Sequence, residues 1–358
     1  MITISLCMIV KDEEAVLSRC LDSVADVVDE IIIVDTGSCD RTKEIASRYT
    51  DKVYDFFWID DFSAARNFSF SFAAKDYILW LDADDVLLPE DREKLLLLKR
   101  TLSADTDIVM MRYNIAFDKN GLPTYSYYRE RLLKRSKNYR WQEPVHEVIT
   151  PEGNVVYQDI CVSHKTEHKN EGSTDGKRNL RIVEKKLAEG YILSPRLKFY
   201  YARELYYNAM YARAAEFFED FLASEGAWVE NCISACQDLA AVYYSLGEED
   251  RALQTLLRSF YYAAPRAEVC CALGQHFFDK WDYRTAIFWY EAAAAIEPDI
   301  SSGGFYSMDY YGYIPFMQLC LCYDRLGERQ KAVFYHERAA ALKPDEPAVI
   351  YNQKYFFG

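Results

Sequence analysis

The chain has 358 residues, half of them hydrophobic, and a formal net charge of -14 at pH 7. That length holds two or three domains with cores of their own, and the hydrophobic share excludes a disordered chain. The acidic balance argues against a general nucleic-acid or anionic-membrane surface, while a local basic pocket for a phosphorylated ligand stays open.

The opening Met1-Ile2-Thr3-Ile4-Ser5-Leu6 lacks the basic and long apolar regions of a signal peptide. No apolar stretch approaches membrane-spanning length. A cytoplasmic protein with reduced cysteines is the expectation. None of the ten cysteines forms a Cys-x-x-Cys pair, so they read as small core residues and not as a zinc site.

Residues 2–10 predict a first strand. Residues 14–25 predict a helix with Val16, Leu17, Cys20, Leu21 and Val24 on one face. Residues 30–34 are a second buried strand, closed by Asp35-Thr36-Gly37-Ser38, and Asp40-Arg41-Thr42 caps a helix reaching about residue 49. A third strand is expected over 52–58, a helix over 62–74 and a strand over 77–81. Continuous apolar strands alternating with helices predict a parallel sheet covered on both faces. Residues 108–117 and 155–162 read as later strands, at antiparallel edges.

The strand at 77–81 runs into Asp82-Ala83-Asp84-Asp85. Side chains at i and i+2 share a face, so Asp82 and Asp84 can converge beyond the strand's carboxyl end, where open α/β sheets place ligands. Two converging carboxylates call for a cation, and hard oxygen ligands select magnesium or manganese, which normally carries a diphosphate. The same residues also suit a strand-to-helix turn with Asp85 as a cap.

Residues 164–177 contain no aliphatic side chain and mark a boundary loop, with a helix over 179–189 leading away from it. The expected domains are 1–165, a linker and connecting helix over 166–194, and a helical region over 195–358. In that last region a pattern of aromatic or Gly, four residues, then Ala recurs at Ala252, Ala286 and Ala332, with Ala214 as an earlier alanine of the same series, and with closing prolines at Pro265, Pro298 and Pro344. The alanine intervals of 38, 34 and 46 bracket the tetratricopeptide period, in which each unit is a helical hairpin stacked on its neighbour. About four hairpins are expected. The longest interval carries an aromatic insertion over 301–313, which suits an acceptor contact or an oligomer contact equally.

Four N-terminal motifs stand in order: Ser5-Leu6-Cys7-Met8-Ile9-Val10-Lys11-Asp12-Glu13-Glu14, Val34-Asp35-Thr36-Gly37-Ser38-Cys39-Asp40-Arg41-Thr42, Asp61-Phe62-Ser63-Ala64-Ala65-Arg66-Asn67, and Leu81-Asp82-Ala83-Asp84-Asp85. Together with the repeats, this set resembles family-two glycosyltransferases of the GT-A fold, in the branch with C-terminal tetratricopeptide repeats that includes the sublancin-type peptide S-glycosyltransferases. The resemblance implies a Rossmann-like α/β nucleotide-sugar-binding domain followed by an all-α solenoid. It places the nucleotide base near Lys11, Glu13 and Asp35, where a carboxylate accepts the imide N–H of uracil; Asp35 equally suits an Asx turn. Arg66 matches the donor-contacting arginine, suited to a diphosphate, unless it pairs at the surface with Asp60 or Asp61. Asn67 is open to capping or cross-linking a loop. Asp82 would meet the ribose or the metal, Asp84 the metal more directly, and His164, at the end of the last strand, would be a late metal ligand or an exposed histidine.

The implied reaction moves a sugar from a nucleotide-sugar donor, a UDP-sugar, to a peptide, protein or glycan acceptor. It is an inverting single displacement with Mn2+ or Mg2+ as cofactor and one carboxylate as base. Arg140-Trp141-Gln142-Glu143-Pro144-Val145-His146-Glu147 suits an acceptor wall. Glu147 is the expected base, with His146 and Glu143 as alternatives, and the segment also suits an exposed strand edge. A cysteine acceptor would need the base less. The repeats would recruit the acceptor or build a homodimer. The competing readings are a sugar nucleotidyltransferase, disfavoured by the glycine-free Lys11-Asp12-Glu13-Glu14, and an inactive repeat adaptor.

Overall fold

The computed structural model describes residues 1–117, 121, 123–165, 176–298 and 306–358. It divides into two compact units, Met1–Ile192 and Leu193–Gly358.

Among the described residues the first unit is built on eight strands: β1 (Ile4–Val10), β2 (Glu30–Asp35), β3 (Val53–Asp55), β4 (Tyr77–Trp80), β5 (Asp85–Leu87), β6 (Ile108–Phe117), β7 (Pro123–Lys134) and β8 (Val155–His164). They form one sheet in the order β3-β2-β1-β4-β7-β6-β8-β5. The first four are parallel, as continuous apolar runs demand. The sheet is mixed, however. β7 runs antiparallel to β4 and to β6, and β8 runs parallel to β6 and antiparallel to β5. β6 therefore lies inside the sheet, not at an edge. The expectation missed β7 because its Arg129-Glu130-Arg131 reads as surface, whereas Glu130 and Arg131 are buried by the strands on either side.

Alternation sends the two strand faces into separate cores. Leu6, Met8, Ile33, Leu79 and Leu81 pack with Leu17 and Leu21 of α1 (Leu17–Asp22) and with Leu95 and Leu98 of α4 (Pro89–Thr101). Cys7, Ile32, Ile78 and Trp80 pack with Phe70 of α3 (Phe62–Ser71) and with Trp141. Between them, α2 (Thr42–Ala46) follows β2. The helix α5 (Arg178–Ala188) belongs to this unit: Lys185 pairs with Asp60 at 2.6 Å, and the Arg178 guanidinium lies 4.9 Å from the Phe62 ring centre.

The second unit is a row of hairpins: α6 (Pro195–Tyr207) with α7 (Tyr211–Leu222), α8 (Val229–Ser245) with α9 (Glu249–Arg258), α10 (Ala267–Asp279) with α11 (Tyr283–Ala295), and α12 (Tyr313–Arg325) with α13 (Arg329–Leu342), followed by α14 (Pro347–Phe357). Each hairpin turns through one left-handed residue, namely Ala209, Gly247, Trp281 or Gly327, with φ between 57° and 76°. In each turn the next N–H reaches back to a carbonyl five residues earlier, from Met210 to Leu205, Glu248 to Tyr243, Asp282 to Phe277 and Glu328 to Tyr323. This is the helix-ending arrangement that favours glycine. Five residues after each turn stands a repeat alanine, and all four alanines are fully buried. A Cβ added at Gly274 would lie 2.7 Å from the Tyr290 ring, so α10 and α11 touch where a side chain is missing.

Residues 301–305 of the aromatic insertion lie outside the described residues. The rest turns onto its own hairpins. Tyr311 donates to Glu268 Oε2 at 2.8 Å, Arg266 lies 4.8 Å from the Tyr306 ring centre, and Tyr310 and Tyr313 join the core of α10–α13.

Candidate active site

Parallel pairing of β1 with β2 and β4 brings the carboxyl ends of three strands side by side. The loops after β1 and β2 are laced together there. The Asp12 N–H donates to Ser38 Oγ at 2.9 Å, the Cys39 N–H to Asp12 Oδ1 at 2.7 Å, and the Glu13 N–H to Thr42 Oγ1 at 2.7 Å. Lys11 is exposed and Glu13 half-buried at this rim. Asp35 is buried, and its Oδ2 accepts the N–H groups of Gly37 and Ser38, both at 3.0 Å, which is the Asx turn. Its Oδ1 is buried with no hydrogen-bond partner, a vacant acceptor at a loop edge.

Arg66 stands at the centre of a charge chain. Its Nη2 donates to Asp82 Oδ1 at 2.8 Å and its Nε to Glu147 Oε1 at 2.7 Å. The guanidinium lies 5.1 Å from the Trp80 ring centre and 4.9 Å from that of Trp141, so it packs against two neighbouring indoles while Nη2 and Nε each meet a carboxylate. Arg66 itself is only 8% exposed, unlike a surface ion pair. The expected local partners are engaged elsewhere: Asp60 with Lys185, and Asp61 as the cap of α3, accepting the Ala64 N–H at 2.9 Å. Burial pushes the Asp82 carboxyl up, yet the charges of Arg66 and then Arg131 outweigh it and hold it down at about 2.

The Asn67 side chain cross-links α3 to the segment carrying Glu147, through paired 2.9 Å bonds with the Trp141 backbone. That segment closes on itself where Gln142 and Val148 exchange backbone hydrogen bonds of 2.9 and 3.1 Å. Glu143 and His146, with φ of 72° and 52°, make its corners. The Tyr191 hydroxyl donates to Glu143 Oε2 at 3.2 Å. Glu147 is thus in a tight loop aimed at Arg66, with its side chain 14% exposed, and not on an exposed strand edge. Glu143 points instead to Tyr191.

Beyond β4, Asp84, Asp85 and His164 each offer a ligand atom within 4.8 Å of one another. Register explains the meeting, because antiparallel β5 and β8 set Asp85 opposite His164. His164 Nδ1 lies 3.3 Å from Asp84 Oδ1 and 3.6 Å from Asp85 Oδ1. The neighbouring carboxylates of Asp84 and then Asp85 push its pKa up to about 10. A proton there holds two carboxylates together, which is the work a divalent cation would do. Asp85 Oδ1 is buried without a hydrogen-bond partner, so the residues present fit a hard divalent ion with oxygen and imidazole ligands. Of the expected metal ligands, Asp84 and His164 are in this cluster. Asp82 faces Arg66, and Asp85 completes the three.

Sequence reasoning missed Arg131, which pairs with Asp85 at 2.9 Å with neither side chain exposed. It also missed the two tryptophans around Arg66. The only available signal was the aromatic character of Trp80 and Trp141 beside charged motifs.

Residues 5–159 match Glycosyl transferase family 2. A TPR repeat-containing protein of Synechococcus elongatus is 40% identical over 150 residues, covering 42% of this chain and 36% of that protein. The SPbeta prophage-derived glycosyltransferase SunS of Bacillus subtilis is 27% identical over 213 residues, covering 57% of this chain and 49% of SunS. Among solved structures, glucosyl-3-phosphoglycerate synthase of Mycobacterium tuberculosis, in complex with Mn2+ and UDP-glucose, aligns at a TM-score of 0.36 and 16% identity over 54% of this chain and 81% of that one. The chain spans between about a third and a half of the length of the two relatives in sequence. Among the described residues no helix is long and apolar enough to cross a membrane. Residues 5–159, which carry most of the mixed sheet, thus resemble glycosyltransferase family 2, and helical hairpins of the tetratricopeptide kind follow them.

Proposed function

We propose that the first unit transfers a sugar from a UDP-sugar to a peptide, protein or glycan acceptor, with inversion and with Mn2+ or Mg2+. The observation that carries the reading is the Arg66 bridge, which couples an aspartate of the Asp82-Ala83-Asp84 motif to Glu147 81 residues apart in sequence from Arg66. Asp35 Oδ1 would accept the uracil imide N–H, with Lys11 and Glu13 at the rim of the base pocket. Asp82 would meet the ribose, and Arg66 the diphosphate. Asp84, Asp85 and His164 would hold the cation, which when bound stabilises the charge gathering on the leaving diphosphate.

In the transfer step the acceptor oxygen or sulfur forms a bond to the anomeric carbon as the bond from that carbon to the phosphate oxygen breaks. The electron pair leaves with the nucleoside diphosphate, and the acceptor proton passes to Glu147, with His146 as the alternative base. Arg66 Nε, 2.7 Å from Glu147 Oε1, orients that carboxylate. The helical repeats would recruit the acceptor or a second copy of the chain.

Release of nucleoside diphosphate from a panel of sugar nucleotides, with manganese and with chelator, tests this reading. Release from one UDP-sugar that chelator abolishes is the expected result. No release, and no thermal stabilisation by any sugar nucleotide, would sink it and leave a non-catalytic repeat adaptor.

A further inference from the structure

The Asp85–Arg131 pair has no exposed side-chain surface on either partner. A buried pair is a weak source of stability, because taking two ions out of water offsets most of their attraction. Its value must lie in what it arranges. Arg131 Nη1 donates to Asp85 Oδ2 at 2.9 Å and to the Trp80 carbonyl at 3.1 Å. The guanidinium is wedged 3.8 Å from the Trp80 ring centre and 4.3 Å from that of Tyr113. Asp85 Oδ2 also accepts the Asp82 N–H at 3.0 Å, while the Asp85 N–H donates to the Asp82 carbonyl at 3.1 Å. One carboxylate oxygen thus closes the turn from Asp82 to Asp85 and ties it to β7. The other, Oδ1, is buried without a hydrogen-bond partner and faces His164 at 3.6 Å.

We propose that Arg131 is the positioning residue of the cation site. It fixes Asp85 with Oδ2 turned inward and Oδ1 presented beside Asp84 and His164. Its charge also offsets one of the cluster's two carboxylates, so that the cluster can assemble before an ion arrives. Arg131 acts through Asp85 and touches neither the ion nor the substrate. The inference rests on the divalent-cation reading of this site.

Arg131→Lys keeps the charge, but an ammonium lacks the planar group that packs against the Trp80 and Tyr113 rings while its Nη1 reaches Asp85 and the Trp80 carbonyl. Mn2+ binding to the full chain in the presence of UDP, followed by electron paramagnetic resonance, should weaken by at least about tenfold, the effect expected when the support of a metal ligand is removed. UDP binding without metal should stay within about twofold of the unaltered chain. A lowered unfolding temperature with unchanged Mn2+ affinity would overturn the proposal and make the pair purely structural. If the variant does not fold, the unaltered protein labelled with nitrogen-15 arginine decides. Mn2+ should broaden a slowly exchanging guanidinium signal that Mg2+ leaves sharp, and no broadening would place the ion away from Arg131 and overturn the proposal. An unaltered chain that binds no Mn2+ sinks the cation reading itself, a separate outcome.

Discussion

The two units use their recurrent residues for opposite ends. In the first, the residues that stand out are polar, gathered at strand ends, and Asp35 and Asp85 each keep one buried oxygen without a hydrogen-bond partner after local hydrogen bonds are met. In the second, the residues that recur are small or left-handed, and each is consumed by packing. Ala214, Ala252, Ala286 and Ala332 are fully buried, and the four turns repeat one backbone conformation. A motif that leaves an atom unsatisfied points to a ligand, whereas a motif that leaves nothing over points to the fold.

The sharpest way to separate the units is Asp84→Ala. Metal-dependent nucleoside diphosphate release should fall by more than about a hundredfold, while thermal unfolding of the repeats is unmoved; equal loss of both would erase the contrast. Next comes Glu147→Gln, expected to lower kcat by about 10²–10⁴-fold with KM for the donor nearly unchanged, as steady-state kinetics would read. In the second unit, Ala252→Leu forces a branched side chain into a fully buried position and should cost about 1–3 kcal/mol by chemical denaturation. UDP-induced stabilisation of the first unit should survive it.

A pH series probes the metal-free cluster. The folded pKa of His164, about 10, lies above its ordinary value of 6.5. Folding therefore binds this proton more tightly, and the stabilisation is complete below about pH 6.5 and lost as pH rises towards 10. The unfolding midpoint of the chelated protein should decline over that window. Saturating Mn2+ should flatten the decline, since the ion takes the proton's place. The smallest effect is expected at Trp281, left-handed at φ 64° and 78% exposed. Trp281→Gly relieves about 1–2 kcal/mol of backbone strain against about 0.5–1 kcal/mol of glycine entropy. The net gain should be within about 1.5 kcal/mol, visible as a small rise in denaturation midpoint.

What the sequence disclosed follows the same division. The strand at Tyr77–Trp80 and its aspartates were legible because an apolar run and three carboxylates are local signals. The repeats were legible because their period is written four times, although Ala209 and Trp281 hide the turn that Gly247 and Gly327 display. Arg66 was legible as a residue but not in its partners: nearby Asp60 and Asp61 were the obvious choices, whereas the bonds go 16 and 81 residues along the chain. Arg131 was illegible, since a strand alternating charges looks solvated until neighbours cover it. Asp85 reads in the sequence only as a helix cap, because its place beside His164 depends on a register between β5 and β8 that no local pattern encodes.

That register has a consequence for anyone who trims this protein. The family match stops at residue 159, five residues short of His164 and within β8. A fragment cut at the end of the match would retain every aspartate of the motif. It would lose the imidazole and the segment of β8 that holds β5 in the sheet. Asp84 and Asp85 would then face each other with no proton-bearing ring between them, and β5 would be left as a bare edge open to other chains. The working limit of the first unit is set by a strand partner, and it falls beyond the end of the match.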